Sequence, residues 1–160
     1  MSIKVGDALP EATFMEMTAD GPQPRTTAEV FAGKTVALFA VPGAFTPTCS
    51  AKHLPGFVEQ ASALVGKGVD EIVCTSVNDV FVMGAWGESA GASGKVRMLA
   101  DWNGAFAEAL GLGMDASGFG MGQRSRRYSM VVKDGKVDAL NVEAGPGFEV
   151  SSADYMLAQL

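Results

Sequence analysis

Cysteine and histidine are scarce in this sequence: two cysteines, Cys49 and Cys74, and one histidine, His53, in 160 residues. Two cysteines do not make a disulfide-stapled scaffold, and a chain of this length buries a core without one. There is no Cys-x-x-Cys pair and no histidine cluster. The ligand spacing of a zinc site is therefore missing, and no metal or other cofactor is expected. Basic residues are in deficit as well. Twelve Lys and Arg against 18 Asp and Glu leave a net charge of −6, which argues against nucleic acid as a general partner. Long apolar runs are absent, none approaching the ~20 residues of a membrane span, so no membrane partner is expected. The first residues, Met1 to Asp7, lack the apolar core of a signal peptide, and a cytoplasmic location is expected. No repeat or linker divides the chain, so one domain over residues 1–160 is expected.

What is present is organised around Val41-Pro42-Gly43-Ala44-Phe45-Thr46-Pro47-Thr48-Cys49-Ser50. The apolar run Thr35 to Ala40 before it reads as a buried strand. After it, Leu54, Phe57, Val58, Ala61, Leu64 and Val65 recur at helical spacing and stop at Gly66. Thr46 suits the N-cap and Pro47 the first helical position, which puts Cys49 in the first turn. Free amides and the helix dipole favour an anion there, and the thiolate is the nucleophilic form of cysteine. The plainer reading is a small buried cysteine packing helix on sheet. Pro55 removes a helical hydrogen bond to Ala51, so a kink is expected there.

Further along, residues 9–17 suggest a modest strand, Gly21 to Pro24 a turn, and Thr27 to Phe31 one helical turn. Strands are expected at Val69–Val77 and Val96–Asp101, with a helix between them capped by Asn78 or Asp79. A short helix follows over Ala105–Leu110. Alternation of strand and helix implies parallel pairing with right-handed crossovers. Gly113–Gly122 reads as a glycine-rich loop, without the strand and helix that a dinucleotide fingerprint requires. Asp134-Gly135 between two apolar segments signals a hairpin, and a last helix over Ala153–Leu160 is capped by Ser151 or Ser152.

Three arginines, Arg124, Arg126 and Arg127, stand together in an acidic chain. They form a solvated loop, or one of them turns inward to donate to an anion, and spacing does not choose among the three. His53, four residues after Cys49, shares its helical face. A Cys–His pair and a packed, hydrogen-bonded histidine are both compatible with that spacing, the second being the plainer. Cys74, mid-strand, reads as an inert core thiol, and Trp86 and Trp102 as packing residues.

Pro42-Gly43-Ala44-Phe45-Thr46-Pro47-Thr48-Cys49 matches the P-x-x-x-T-x-x-C signature of peroxiredoxins. With His53-Leu54-Pro55-Gly56-Phe57 after it, the sequence resembles the type II, or peroxiredoxin-5, branch. The resemblance extends through Ser76–Asp79, Lys95–Asp101, Arg127–Val132 and Ala139–Glu143, nearly the whole chain. It implies an α/β thioredoxin-like sandwich, with a mixed central sheet and helices on both faces. It implies reduction of hydrogen peroxide and organic hydroperoxides through a sulfenic acid on Cys49. Thr46 would hydrogen-bond at the peroxide, Pro42 would shield the sulfur, and Arg127 would be the active-site arginine. Some relatives carry a resolving cysteine in the C-terminal loop, but Phe148-Glu149-Val150-Ser151-Ser152 offers none. An external reductant is therefore expected, glutathione with glutaredoxin ahead of thioredoxin, acting on a compact homodimer. A slow redox sensor and a thiol transferase are the alternatives; sustained turnover with a thiol reductant separates them.

Overall fold

The strand that leads to Cys49 is covered on both faces. In β3 (Thr35–Ala40), the residues from Val36 to Ala40 are completely buried, as a central strand between two helical layers must be. The computed structural model describes residues 2–160. In it β3 pairs in parallel with β4 (Glu71–Ser76), and β4 in parallel with β5 (Arg97–Ala100). On the other side of β3 lies antiparallel β8 (Tyr128–Lys133), which turns into β9 (Lys136–Val142). The turn residues Asp134 and Gly135 have φ of 48° and 75°, the left-handed pair that a tight hairpin requires. With β1 (Thr13–Thr18) and β2 (Gly21–Thr26), the seven strands run in the order β2-β1-β5-β4-β3-β8-β9. This is the expected mixed sheet.

Successive residues of a strand point to opposite faces, and the core divides accordingly. Phe39, Cys74, Phe57, Trp86 and Met156 meet on one face, under α2 (Leu54–Glu59), α3 (Ala61–Gly66), α4 (Val80–Ser89) and α6 (Ala153–Gln159). Phe14, Phe31, Leu38, Phe106 and Tyr128 meet on the other, with α1 (Thr27–Phe31) and α5 (Ala105–Ala109). Burying each such side chain stabilises the fold by ~1.5–3 kcal/mol. Asp79 caps α4 by accepting from the Val82 amide, and Ser152 caps α6 by accepting from Tyr155.

Four expectations change. Gly21–Pro24 is not a turn but the start of β2, with Pro22 opposite Met17 and Pro24 opposite Met15. An edge strand accommodates proline because one side of its backbone needs no partner. The ends of the Gly113–Gly122 loop are ordered: β6 (Gly113–Asp115) pairs with β7 (Gln123–Ser125) in a small second sheet. The long helix expected after Cys49 is three pieces, a π-helical turn over Cys49–His53, then α2 and α3, parted at Gln60. Trp86 is buried as expected, but Trp102 is 45% exposed.

Candidate active site

Strand β3 delivers the chain to a loop pinned by a few specific hydrogen bonds. Ala44 donates its amide to Asn78 Oδ1 at 2.9 Å, and Asn78 Oδ1 also accepts from the Ser76 hydroxyl at 2.6 Å. A side chain at Gly43 would be crowded: a Cβ there would lie 2.9 Å from Met121 Cε and 3.1 Å from Thr46 Cγ2. Phe45 adopts φ of 63°, a left-handed conformation that costs a bulky residue ~1–2 kcal/mol. Thr46 precedes the first helical residue, Pro47, but its hydroxyl does not cap the helix. Thr46 Oγ1 donates to the Gly43 carbonyl at 2.7 Å, and the Thr46 carbonyl accepts from the Ser50 amide. The side chain thus closes the loop that carries Pro42 and Gly43.

Cys49 opens the π turn, and its carbonyl accepts from the Leu54 amide five residues on. The irregularity expected at Pro55 lies just upstream of it. Pro55 itself sits in the first turn of α2, where a missing N–H is tolerated. The wider turn leaves Cys49 and His53 completely buried, and they are joined through an arginine. Arg127 Nη2 donates to Cys49 Sγ at 3.0 Å, and its Nη1 lies 2.8 Å from His53 Nδ1. Of the three arginines only Arg127 makes this contact. Arg124 donates to the carbonyls of Met121 and Val77, and Arg126 to that of Glu143.

His53 is therefore not the sulfur's partner but the arginine's. Its Nε2 is 2.9 Å from the Ser151 carbonyl. A carbonyl only accepts, so Nε2 carries the proton and Nδ1 accepts from Arg127. Burial, reinforced by the Arg127 charge, lowers the His53 pKa to about 3, so the ring is neutral at ordinary pH. Ser151 is fixed in turn by Glu143, whose carboxylate accepts from the Ser151 hydroxyl at 2.6 Å and from the amides of Glu149, Val150 and Ser151. Burial raises the Glu143 pKa, but those donors outweigh it and hold the carboxyl below its usual range. Phe148 packs its ring 4.9 Å from that of His53.

Pro42, Thr46 and Arg127 line one cleft of 710 Å³, together with Met114, Phe119 and Pro146. Its wall is mostly apolar, with Arg126 and Arg127 among its polar lining. Cys74 is buried in the middle of β4, and burial, followed by the neighbouring Cys49, pushes its thiol well above the usual range. Both cysteines are free. Among the described residues, no three His, Cys, Asp or Glu side chains are grouped to hold a metal ion, and no helix is long and apolar enough to cross a membrane.

The sequence reading missed Glu143, Phe148 and Ser151 as neighbours of the site. Ser151 and Phe148 meet His53 from far along the chain, Ser151 across 98 positions, and Glu143 acts through Ser151; no local pattern reports so distant a pairing.

The redoxin family profile matches residues 4–157. The chain belongs to that family. Among its peroxiredoxin relatives, Peroxiredoxin-2E-2, chloroplastic, of Oryza sativa subsp. japonica is 53% identical over 164 residues, covering 99% of this chain and 73% of the relative. Peroxiredoxin-2B of Arabidopsis thaliana is 49% identical over 159 residues, covering 99% and 98%. Reduced Prx3 from Vibrio vulnificus, solved in complex with hydrogen peroxide, superposes with a TM-score of 0.95 at 52% identity, covering 98% of both chains. The thioredoxin-like fold and the peroxiredoxin resemblance read from the sequence are borne out. The chain is an enzyme of the peroxiredoxin class, a thiol-dependent peroxidase.

Proposed function

We propose that this peroxiredoxin reduces hydrogen peroxide and organic hydroperoxides through Cys49, with Thr46, Arg127 and Pro42 as the rest of its catalytic set. The single observation that carries the assignment is the guanidinium of Arg127 donating to the buried Cys49 sulfur at 3.0 Å. A fixed positive charge beside the sulfur stabilises negative charge on it and on an oxygen bound next to it. The thiolate attacks one peroxide oxygen in line. The O–O bond breaks, an S–O bond forms, and the departing oxygen takes up a proton and leaves as water or alcohol. Cys49 is oxidised to sulfenic acid as the peroxide is reduced. Arg127 and the Thr46 hydroxyl, once the latter turns from the Gly43 carbonyl, stabilise charge on the departing oxygen, while Pro42 keeps solvent from the sulfur. The apolar wall of the cleft supports an alkyl hydroperoxide as well as the small one.

Recycling is a separate reduction, with two thiols as the electron source. A thiol from outside the chain attacks the sulfenic sulfur and releases water; a second thiol then resolves the mixed disulfide. We place glutathione with glutaredoxin ahead of thioredoxin in that role, in the cytoplasm, with residues 1–160 acting as one domain. The assembly proposed is a homodimer. Exposed Phe45, Phe81, Trp102 and Phe119 support it. The segments of Phe45, Phe81 and Phe119 are tied together through Ala44 bonded to Asn78 and Arg124 bonded to Val77 and Met121, and Phe119 also lines the cleft. Exposed large apolar side chains grouped in this way mark an interaction surface.

The test is peroxide turnover by the wild type, Cys49→Ser and Cys74→Ser, supplied with glutathione and glutaredoxin or with thioredoxin. Cys49→Ser is expected to be inactive and Cys74→Ser active, with faster turnover on the glutathione system. Loss of turnover in Cys74→Ser would assign that thiol an obligatory role and overturn the one-cysteine reading. A wild type that is oxidised once and not recycled by any thiol would overturn the peroxidase cycle in favour of a sensor.

A further inference from the structure

We propose that His53, Ser151 and Glu143 are positioning residues whose hydrogen bonds hold the Arg127 guanidinium on the Cys49 sulfur. The inference rests on the reading that Arg127 acts on Cys49.

Arginine is long and rotamer-rich, and a guanidinium placed by its sulfur contact alone would keep much of its freedom. Here its second amino group is engaged. Nη1 donates to His53 Nδ1, His53 Nε2 donates to the Ser151 carbonyl, and Ser151 donates both its amide and its hydroxyl to Glu143 Oε2. The Glu143 amide donates to the Arg127 carbonyl at 3.0 Å, which returns the chain of bonds to the residue where it started. The circuit is closed and nearly dry: His53, Glu143 and Ser151 are all buried. Phe148, on the segment that Glu143 ties down, covers it, with its ring 5.9 Å from the Arg127 guanidinium carbon. Each donor in the circuit faces an acceptor only when the histidine is neutral with its proton on Nε2. A protonated ring would confront Arg127 with a second positive charge.

Sequence distance makes the arrangement informative. The π turn supplies the histidine, the end of β9 supplies the carboxylate, and the segment before α6 supplies the carbonyl. Three separate elements are joined in one circuit that ends on the Arg127 side chain. Fixing a reacting geometry matters because a misplacement of about 1 Å, from a change away from the chemistry, can cost ~100-fold in rate.

The experiment measures the second-order rate of Cys49 oxidation by hydrogen peroxide, in single turnover, for the full chain carrying His53→Leu, His53→Asn, Arg127→Gln and His53→Leu/Arg127→Gln. His53→Leu is expected to be ~30-fold slower than wild type. Asparagine offers Oδ1 where the ring offers Nδ1, so His53→Asn is expected to recover most of that loss. Because His53 works through Arg127, the double variant is expected to be no slower than Arg127→Gln alone. Multiplying losses in the double variant would overturn the proposal, as would His53→Asn being as slow as His53→Leu, since the histidine would then serve packing or act directly. If Arg127→Gln is slow while His53→Leu matches wild type, the positioning role alone fails. If Arg127→Gln itself matches wild type, the reading beneath it fails.

Discussion

Lowering the pH from about 7 to about 5 destabilises this protein through His53, with a slope set by one proton. In the folded chain, burial and then the Arg127 charge hold the His53 pKa at about 3. In the unfolded chain the same ring titrates near ~6.5. A depressed histidine is neutral when folded and charged when unfolded throughout the interval between those values. Unfolding there takes up a proton, so stability is full above the unfolded value and falls as the pH drops below it. The slope is ~1.4 kcal/mol per pH unit, which accumulates to ~2 kcal/mol by about pH 5. For a chain of this size that corresponds to a Tm lower by ~4–8 °C. The chain has a single histidine, so the effect is separable. Urea midpoints for the wild type and His53→Asn, taken at steps across that interval, give the difference directly. The carboxylates, including Asp101 with its pKa raised by burial, titrate alike in both proteins and cancel. The two stability curves are expected to converge as pH falls. Parallel curves would refute a neutral buried His53 and, with it, the assigned tautomer.

Glu143→Ala leaves three backbone amides and the Ser151 hydroxyl without their acceptor; the expected loss is ~2–4 kcal/mol by denaturant titration. A loss below ~0.5 kcal/mol would mean that solvent already satisfies that segment. Gly43→Ala puts a methyl against Met121 and Thr46. The methionine can give way, but the crowded Thr46 side chain is pushed off the position from which its hydroxyl reaches the peroxide, so peroxide reactivity is expected to fall ~10-fold with little change in Tm. Phe81→Asp charges a ring that is 65% exposed. Sedimentation is expected to show a folded monomer in place of the proposed homodimer, and an unchanged dimer would remove Phe81 from the interface.

Much of the sheet was legible because its strands carry their own signals. The buried run in β3 and the Asp134-Gly135 hairpin are each decided within a few residues of sequence, and the helix caps were narrowed to Asn78 or Asp79 and Ser151 or Ser152, of which the structure selects Asp79 and Ser152. β2 was hidden because its prolines signal a turn locally, and only its place at the sheet edge makes them harmless. The helix after Cys49 followed the apolar period but not the register, because the period cannot distinguish an α turn from a π turn followed by a proline. At the site, the eight-residue motif marked Pro42, Thr46 and Cys49, and the family resemblance marked Arg127. Composition alone left Arg124, Arg126 and Arg127 equivalent. Their separation comes from the fold: Arg127 adjoins β8, next to the end of β3, whereas Arg124 and Arg126 are engaged by the carbonyls of Met121, Val77 and Glu143. His53 was placed on the cysteine's face, but its partner was not legible, since the carbonyl that sets its tautomer comes from Ser151.

The central claim is that Cys49 is the group that peroxide oxidises. Reduced protein treated with one equivalent of hydrogen peroxide in the presence of a sulfenic-acid trap, then digested and mapped by mass spectrometry, tests it most directly. The trap is expected on Cys49 and not on Cys74, in step with peroxide consumption, and neither is expected in Cys49→Ser. Peroxide consumed at the wild-type rate by Cys49→Ser, or a trap found on Cys74 while Cys49 stays reduced, would contradict the account.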